Sequence, residues 1–179
     1  MRHLVFEGLD RSGKSTLLAA VAKAIGATVN KMRVPKTLGQ SIEFYDDHFR
    51  HLAEDEHPVV WDRGHLSELV YAPLYRPSET NSWWVRELRR RAAAIERVGL
   101  VYVYPGWYGL MLEDERPGAN RMAEAAGYAR ELEHVTWPTV RVCTHRQDAE
   151  GVWHWRPVEE MVDEVLDGLM PQYRTKEVP

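Results

Sequence analysis

Cysteine is nearly absent from this sequence: Cys143 is the only one among 179 residues. One cysteine can form neither an intramolecular disulfide nor a four-cysteine zinc site, so the composition indicates a reducing, intracellular setting. No apolar run approaches the roughly 18 residues that a membrane helix needs. The apolar stretch near the N-terminus is too short for a signal-peptide core and is followed at once by charge. We therefore expect no membrane partner.

An excess of positive charge is also missing. The net charge is −4 and the isoelectric point about 6.1. This balance lacks the strongly basic character of proteins that bind duplex nucleic acid, although it leaves room for a local basic groove, so a nucleic-acid partner is not expected. The sequence has no internal repeat, and its 44% hydrophobic and 28% charged residues are ordinary globular usage. The length suits one domain over residues 1–179, with a full core and at most a small lid.

Short apolar segments alternate with amphipathic segments along the whole chain. We predict strands at 4–6, 27–32, 58–62, 99–104 and 140–143. We predict helices at 15–25, 41–54, 65–75, 82–97, 107–114, 122–134 and 158–170. This alternation favours an α/β fold, in which a five-stranded parallel sheet carries helices on both faces. Such a sheet binds its ligands at the carboxyl ends of the strands.

A phosphate-binding loop follows the first predicted strand. Residues 8–15, GLDRSGKS, match the pattern G-x-x-x-x-G-K-[ST] in full and precede a predicted helix. The glycines let successive backbone N–H groups point at phosphate oxygens, and the helix adds the positive end of its dipole. Lys14 can reach the β- and γ-phosphates, and the Ser15 hydroxyl can ligate Mg²⁺. The motif predicts bound ATP or a similar triphosphate with Mg²⁺, without identifying the reaction.

Other classes of phosphate-loop protein fit the sequence less well. A switch GTPase needs a guanine-reading N-K-x-D segment after a late strand. Asn30 and Lys31 occur early, and Arg33 stands where the aspartate is needed. The chain is also short for a motor or an ATPase with sensor elements. A small-molecule kinase therefore fits the size best.

Two segments carry a resemblance to a known family. Residues 6–16, FEGLDRSGKST, resemble the opening of the thymidylate kinase family. Asp62-Arg63 resembles that family's D-R motif, and Ser67 and Tyr71 follow at the family's spacing. Residues 62–71 are similar to phage-type deoxynucleoside monophosphate kinases in particular. Arg33-Val34-Pro35 matches the family's R-E-P-G segment only in part, because the glutamate and glycine are missing.

The resemblance implies a three-layer P-loop kinase fold with a small mobile lid, working in the cytoplasm of a bacterial or phage-infected cell. It implies ATP-dependent phosphorylation of a deoxynucleoside 5′-monophosphate, such as dTMP, to the diphosphate. Arg11 would act on the transferring phosphoryl group, and Ser15 with Asp62 would hold Mg²⁺. The ATP-binding loop residues would be Asp10, Arg11, Ser12, Gly13, Lys14, Ser15 and Thr16.

Acceptor-side roles also follow from the resemblance. Arg63 would take the acceptor phosphate, since a planar guanidinium matches phosphate bidentately. Asp62 would orient Arg63 or hold Mg²⁺ through water, and Asp10 would accept from the sugar 3′-hydroxyl. Tyr71 would fill the space of a ribose 2′-hydroxyl. The predicted catalytic residues are Lys14, Arg11, Asp62 and Arg63, and the predicted substrate-binding residues are Asp10, Arg33, Arg63, Ser67 and Tyr71.

Two further segments are candidates for the nucleotide site. Arg116 and Arg121 bracket a segment with proline and glycine, which suits a lid over residues 115–122 that closes on the triphosphate. A solvated basic turn is the alternative. The polar loop from Thr144 to Gly151 is a candidate wall of the adenine site.

Three other patterns have simpler explanations than a site. Asp46, Asp47, His48, His51 and His57 contain no strict metal-ligand motif. Arg86, Arg89, Arg90 and Arg91 favour a solvated helix face. Trp83 and Trp84 favour packing or a dimer contact.

The sequence leaves two rival functions open. The first is a kinase that phosphorylates a hydroxyl, on a deoxynucleoside or on a modified base, with Asp62 as the base. The second is a nucleotide-binding module without catalysis. The accepted base is also open among thymine, uracil, 5-hydroxymethyluracil and cytosine. A homodimer is possible, as in the resembling family.

Overall fold

Five strands form one parallel sheet in the computed structural model, which describes residues 1–106 and 120–173. Their order across the sheet is β2-β3-β1-β4-β5, so the first strand lies at the centre. The strands are β1 (His3–Gly8), β2 (Thr28–Lys31), β3 (Val59–Asp62), β4 (Val98–Tyr104) and β5 (Thr139–Cys143). All four pairings are parallel, as the alternating pattern predicts.

Six helices of the described residues cover the two faces of the sheet. They are α1 (Lys14–Ile25), α2 (Leu38–Glu54), α3 (His65–Tyr75), α4 (Ser82–Ala93), α5 (Arg121–Leu132) and α6 (Val158–Leu169). Short 3₁₀ turns lie at Pro77–Glu79 and Pro171–Tyr173. Within the described ranges, no helix is both long and apolar enough to cross a bilayer.

The central strand shows how the two cores are built. Leu4 and Phe6 point to one face, where they join the apolar side of α1 and α6. Val5 points to the other face and joins a core that includes residues of α2, α3, α4 and α5. Successive strand side chains alternate between faces. The sheet thus lies between two layers of helices. Glu7, two positions after Val5, points to the same face as Val5.

The strand order brings the chemically important segments to one edge of the sheet. Phe6 lies opposite Asp62 of β3, and Gly8 lies opposite Val103 of β4. Gly8 has φ 141°, and a Cβ there would lie 2.0 Å from the Val103 carbonyl oxygen, so only glycine fits. The phosphate loop therefore leaves the sheet between the ends of β3 and β4.

The structure differs from the sequence prediction at several boundaries. Helix α2 begins at Leu38 instead of position 41, because the Thr37 side chain caps it by accepting from Gln40 N at 3.3 Å. Helix α4 ends at Ala93 instead of Arg97. A hairpin, β6 (His145–Gln147) with β7 (Trp153–Trp155), replaces most of the predicted loop after β5. The predicted helix at 107–114 lies outside the described residues.

Two histidines are buried between helices and sheet. His48 of α2 and His65 of α3 are 1% and 4% exposed, and the His48 ring meets the Trp61 ring edge-on at 4.4 Å. Burial lowers the pKa of each to about 3. Between pH 6.5 and 3, the unfolded chain therefore binds protons that the folded chain does not. The free energy of unfolding must fall as the pH drops through this range.

We expect His48→Leu to weaken this acid sensitivity. Below the ordinary histidine pKa, each such histidine lowers the free energy of unfolding by about 1.4 kcal/mol per pH unit. Between pH 7 and pH 5, the free energy of unfolding of the variant should therefore fall by about 2 kcal/mol less than that of the wild type. Urea unfolding at both pH values measures the difference. His57→Leu, at an exposed histidine, is the control. If the free energy of unfolding falls equally in the wild type and in His48→Leu, His48 takes up its proton in the folded protein as readily as in the unfolded chain, and the expectation is wrong.

Candidate functional site

The phosphate loop ends at an open helix N-terminus. Gly13 precedes α1 in a left-handed conformation, φ 80°, without a capping side chain among the described residues. The first turn contains no acidic residue. Its N–H groups lie at the positive end of the helix dipole, which suits phosphate oxygens. Ser15 and Thr16 are exposed there, whereas Ser12 is fully buried.

Lys14 and Asp62 form an ion pair between the phosphate loop and the end of β3. Both side chains are largely buried, at 7% and 13% exposure, and Lys31 Nζ lies 4.0 Å from the other Asp62 oxygen. We expected Asp62 either to orient Arg63 or to hold Mg²⁺ through water, and in the structure its ion-pair partner is Lys14. With the exposed Ser15 hydroxyl, this carboxylate provides the hard oxygen donors that Mg²⁺ prefers.

Arg63 is held by its backbone and by its side chain. Its φ is 72°, a conformation that is uncommon for residues other than glycine, and its N–H donates to Phe6 O at 2.9 Å. The guanidinium pairs with Asp10 of the phosphate loop. It also donates to Ser67 Oγ at 3.0 Å and to Tyr128 OH at 3.2 Å. The arginine of the D-R pair thus reaches back to the phosphate loop.

Charges and rings around Arg63 keep it protonated. Burial favours the neutral form, but Tyr128, Tyr71, Asp10 and Glu7 outweigh it and raise the pKa of Arg63 above its usual value. Its guanidinium carbon lies 4.9 Å from the centre of the Tyr71 ring, within range of a cation–π contact. Arg63 is therefore a permanent, oriented cation beside the phosphate loop.

Glu7 is a site residue that the sequence analysis did not identify. It is fully buried, and its Oε1 accepts from Gly64 N at 2.8 Å and Ser67 N at 3.1 Å. Its Oε2 accepts from Tyr128 OH at 3.2 Å and from the Ser67 hydroxyl. Burial raises the pKa of Glu7, against the opposing effects of the Ser67 hydrogen bonds and the Arg63 charge. Glu7 therefore fixes the first turn of α3 and the Ser67 hydroxyl that Arg63 contacts. The available signal was a carboxylate in an otherwise apolar strand.

One cavity brings together all five predicted substrate-binding residues. Its volume is about 450 Å³, and it opens beside the phosphate loop. Asp10, Arg63, Ser67 and Tyr71 line it with residues from the β2–α2 connection, including Arg33. The guanidinium carbon of Arg33 lies 5.6 Å from the centre of the Phe44 ring.

The charges in this cavity do not balance. Arg63 pairs with Asp10, and Arg76 pairs with Glu68, so the positive and negative charges cancel within each pair. The cavity lining contains no other carboxylate among the described residues but adds the exposed cations Arg33 and Lys31. Lys31 shares the Asp62 carboxylate with Lys14, so one negative charge faces two lysines there. An excess of positive charge in a concave site favours an anionic ligand.

Helix α5 begins against both the phosphate loop and the cavity. Arg121 is buried, and its Nη1 donates to the Asp10 carbonyl at 3.0 Å. The Asn120 N–H donates to Tyr75 OH at 3.0 Å, and Tyr75 OH in turn donates to the buried Glu124. Arg121 therefore packs beside the phosphate loop. The predicted lid is only partly described, since Arg116 lies outside the described residues.

The hairpin after β5 packs against the other side of the phosphate loop. A Cβ at Gly13 would lie 2.8 Å from the Trp155 ring and 3.4 Å from Thr144 Cγ2. Trp155 is nevertheless 55% exposed. The predicted adenine wall, Thr144 to Gly151, thus begins at the phosphate loop, where Thr144 is buried.

The remaining candidate patterns have structural explanations. No three His, Cys, Asp or Glu side chains of the described residues group as metal ligands, and His48 packs on Trp61 instead. Trp84 is buried and donates to Ser41 Oγ at 2.8 Å, whereas Trp83 is 51% exposed. The arginine run is partly paired: Arg89 with Glu131, and Arg90 and Arg91 with Glu87.

No protein-family model matches the sequence, and no curated protein matches it. The fold, in contrast, has many solved counterparts. The YorR protein of Bacillus subtilis, in complex with phosphorylated GDP, aligns over 92% of this chain and 96% of its own, with a TM-score of 0.63 and 20% identity.

Two other solved structures are named kinases. Deoxyadenosine kinase of M. mycoides, with the products dCMP and dCDP, has a TM-score of 0.56 at 13% identity and covers 95% of this chain and 99% of its own. Thymidylate kinase of Ehrlichia chaffeensis has a TM-score of 0.57 at 13% identity and covers 93% and 96%. The chain therefore has the P-loop kinase fold that thymidylate kinase and deoxyadenosine kinase share.

Proposed function

We propose that this protein transfers a phosphoryl group from ATP to the 5′-phosphate of a deoxynucleoside monophosphate. The observation that carries the proposal is the cationic cavity beside the phosphate loop, which Arg63 lines while pairing with Asp10 of that loop. An acceptor with a phosphate group matches the excess charge of Lys31 and Arg33, whereas an uncharged nucleoside does not.

On the donor side, the phosphate loop would hold the triphosphate. Backbone N–H groups before and within the first turn of α1 point at its oxygens, and Lys14 neutralises the charge that develops during transfer. Ser15 and Asp62 would hold the Mg²⁺ that accompanies ATP. Lys14 would exchange its Asp62 partner for phosphate oxygens, and Asp62 would then be free for the metal.

On the acceptor side, a second exchange of partners would occur. The acceptor phosphate would bind the guanidinium of Arg63, since two guanidinium N–H groups can donate to two phosphate oxygens at once. Asp10 would lose its contact with Arg63 and would accept from a sugar hydroxyl. No side-chain base is needed, because the attacking phosphate oxygen is already ionised at neutral pH.

The similar structures support phosphoryl transfer to a nucleoside or a nucleotide, which is the coarser part of this assignment. One is a thymidylate kinase, one is a deoxyadenosine kinase with dCMP and dCDP, and one holds phosphorylated GDP. All of them handle nucleosides or nucleotides. The lid over 115–122 and a homodimer remain predictions.

An acceptor panel with γ-labelled ATP tests the proposal. Purified protein is given each deoxynucleoside, each deoxynucleoside monophosphate, or DNA, and the label in each acceptor is measured. We expect label in at least one monophosphate as a diphosphate product. Label only in a nucleoside or in DNA would establish the hydroxyl kinase instead. ATP binding without any labelled acceptor would indicate a binding module.

Sugar selectivity gives a prediction for Tyr71. Its half-buried ring lies in the cavity against Arg63, where it would exclude a 2′-hydroxyl. We expect the wild type to prefer deoxy over ribo monophosphates, and Tyr71→Ala to narrow the ratio of their kcat/KM values about tenfold or more. Tyr71→Phe retains the ring and is the control. An unchanged ratio in Tyr71→Ala would remove this ring from sugar selection.

A further inference from the structure

A second lysine approaches the Asp62 carboxylate from the neighbouring strand. Lys31 is the last residue of β2, and its Nζ lies 4.0 Å from Asp62 Oδ2, whereas Lys14 pairs with Oδ1. We propose that Lys31 is a positioning residue, which takes over the Asp62 carboxylate when Lys14 turns to the phosphates of ATP. The inference rests on the donor half of the proposed function, because it concerns the same phosphate loop.

The sheet places Lys31 and Asp62 side by side. The parallel register pairs Lys31 of β2 with Asp62 of β3, and Met32 N donates to Asp62 O at 3.0 Å directly after this pair. Side chains at paired positions of neighbouring strands lie on the same face of a sheet. The Lys31 ammonium is only about 1 Å beyond hydrogen-bond distance, so it can close on the carboxylate by side-chain rotation alone.

The two lysines differ in how firmly they are held. Lys14 is the first residue of α1, and its side chain is 7% exposed, whereas the side chain of Lys31 is 78% exposed. An exposed lysine keeps the rotamer freedom of its long, flexible stem. Lys14 also belongs to the loop that binds phosphate, and Lys31 does not. Lys31 is therefore the partner that can join Asp62 while Lys14 is engaged elsewhere.

Binding of a triphosphate makes this second partner necessary. The side chain of Asp62 is 13% exposed, and Lys14 is its main partner. When the Lys14 ammonium turns to phosphate oxygens, the carboxylate loses that partner and faces a polyanion. A largely buried charge without a partner is strongly unfavourable. Among the ion pairs of the described residues, Lys31 provides the one other cation that reaches Asp62, so it can supply the compensation.

Lys31 and a metal ion are alternative sources of the charge that Asp62 needs. Mg²⁺ held by Ser15 and Asp62 would supply this charge when ATP brings the metal. Without the metal, the charge has to come from Lys31. With the metal, Lys31 can instead contribute its charge to the acceptor cavity that it lines. The inference therefore predicts that Lys31 supports ATP binding mainly in the absence of Mg²⁺.

Calorimetric titration of the full chain with ATP, once in EDTA and once with Mg²⁺, tests the inference. We expect Lys31→Met to weaken ATP binding at least about 5-fold in EDTA and by less than about 2-fold with Mg²⁺. Lys31→Arg retains the charge and should bind ATP in EDTA nearly as tightly as the wild type. In an Asp62→Asn background, Lys31→Met should have no effect in EDTA, because the carboxylate that Lys31 pairs with is gone.

Lys36→Met is the matched control, since it removes an exposed lysine of the β2–α2 connection outside the cavity lining. It should leave both affinities unchanged. Equal weakening by Lys31→Met in EDTA and with Mg²⁺, the same weakening in the Asp62→Asn background, or no weakening at all would overturn the role of Lys31. A wild type that binds ATP under neither condition would overturn both proposals. The expected pattern in a protein that phosphorylates no monophosphate would overturn the proposed function and leave the role of Lys31 standing.

Discussion

Lys14→Met is expected to lower kcat by at least about 100-fold, because it removes a charge that stabilises the transferring phosphoryl group. Methionine keeps most of the buried methylene packing of the lysine. The substitution also leaves Asp62 without its main partner, so we expect a lower melting temperature. Steady-state kinetics with the best acceptor and thermal unfolding measure the two effects.

Two control variants separate catalysis from folding. Lys14→Met with Asp62→Asn removes both charges of the pair, and we expect it to recover much of the melting temperature but none of the activity. Lys23→Met changes an exposed lysine in the last turn of the same helix and should have normal turnover. Near-normal kcat in Lys14→Met would contradict the assignment of a kinase phosphate loop.

Arg63→Ala is expected to lower kcat/KM for the acceptor by at least about 100-fold, because a buried, charge-assisted contact to its phosphate is lost. The affinity for ATP should change little, since the proposed ATP site is formed by the phosphate loop and α1 and not by Arg63. Arg63→Lys should recover only part of the loss, because an ammonium cannot make the bidentate contact. Titrating ATP and acceptor separately distinguishes the two sites.

Arg86→Ala is the control for this experiment, since it truncates an exposed arginine on α4 outside the cavity. Its kinetics should match the wild type. If Arg63→Ala weakens ATP and acceptor equally, the pair that Arg63 forms with Asp10 is a structural support of the phosphate loop and not an acceptor site.

The local patterns of this sequence were enough to predict its architecture. The short segments predicted at 4–6, 27–32, 58–62, 99–104 and 140–143 became the five parallel strands. The phosphate-loop motif fixes backbone and side chain within eight residues, so it needs no long-range information. The spacing of Arg63, Ser67 and Tyr71 is helical, and the structure places all three in one cavity.

Pairings between distant segments could not be predicted in this way. Nothing near Arg63 in the sequence indicates that its partner is Asp10, 53 positions away, or that Asp62 pairs with Lys14. Glu7 has an apolar context and becomes a polar centre only because α3 and α5 converge on it. The Arg76–Glu68 pair depends in the same way on where α2 and α4 place Ser41 and Trp84.

A direct competition tests the central claim. The protein is incubated with γ-labelled ATP, Mg²⁺ and an equimolar mixture of deoxynucleosides and their 5′-monophosphates, and the labelled products are separated by charge. The account predicts that the first labelled products are diphosphates, formed from monophosphates that the cationic cavity attracts. Labelled monophosphates as the first products, formed from the uncharged nucleosides, would contradict it.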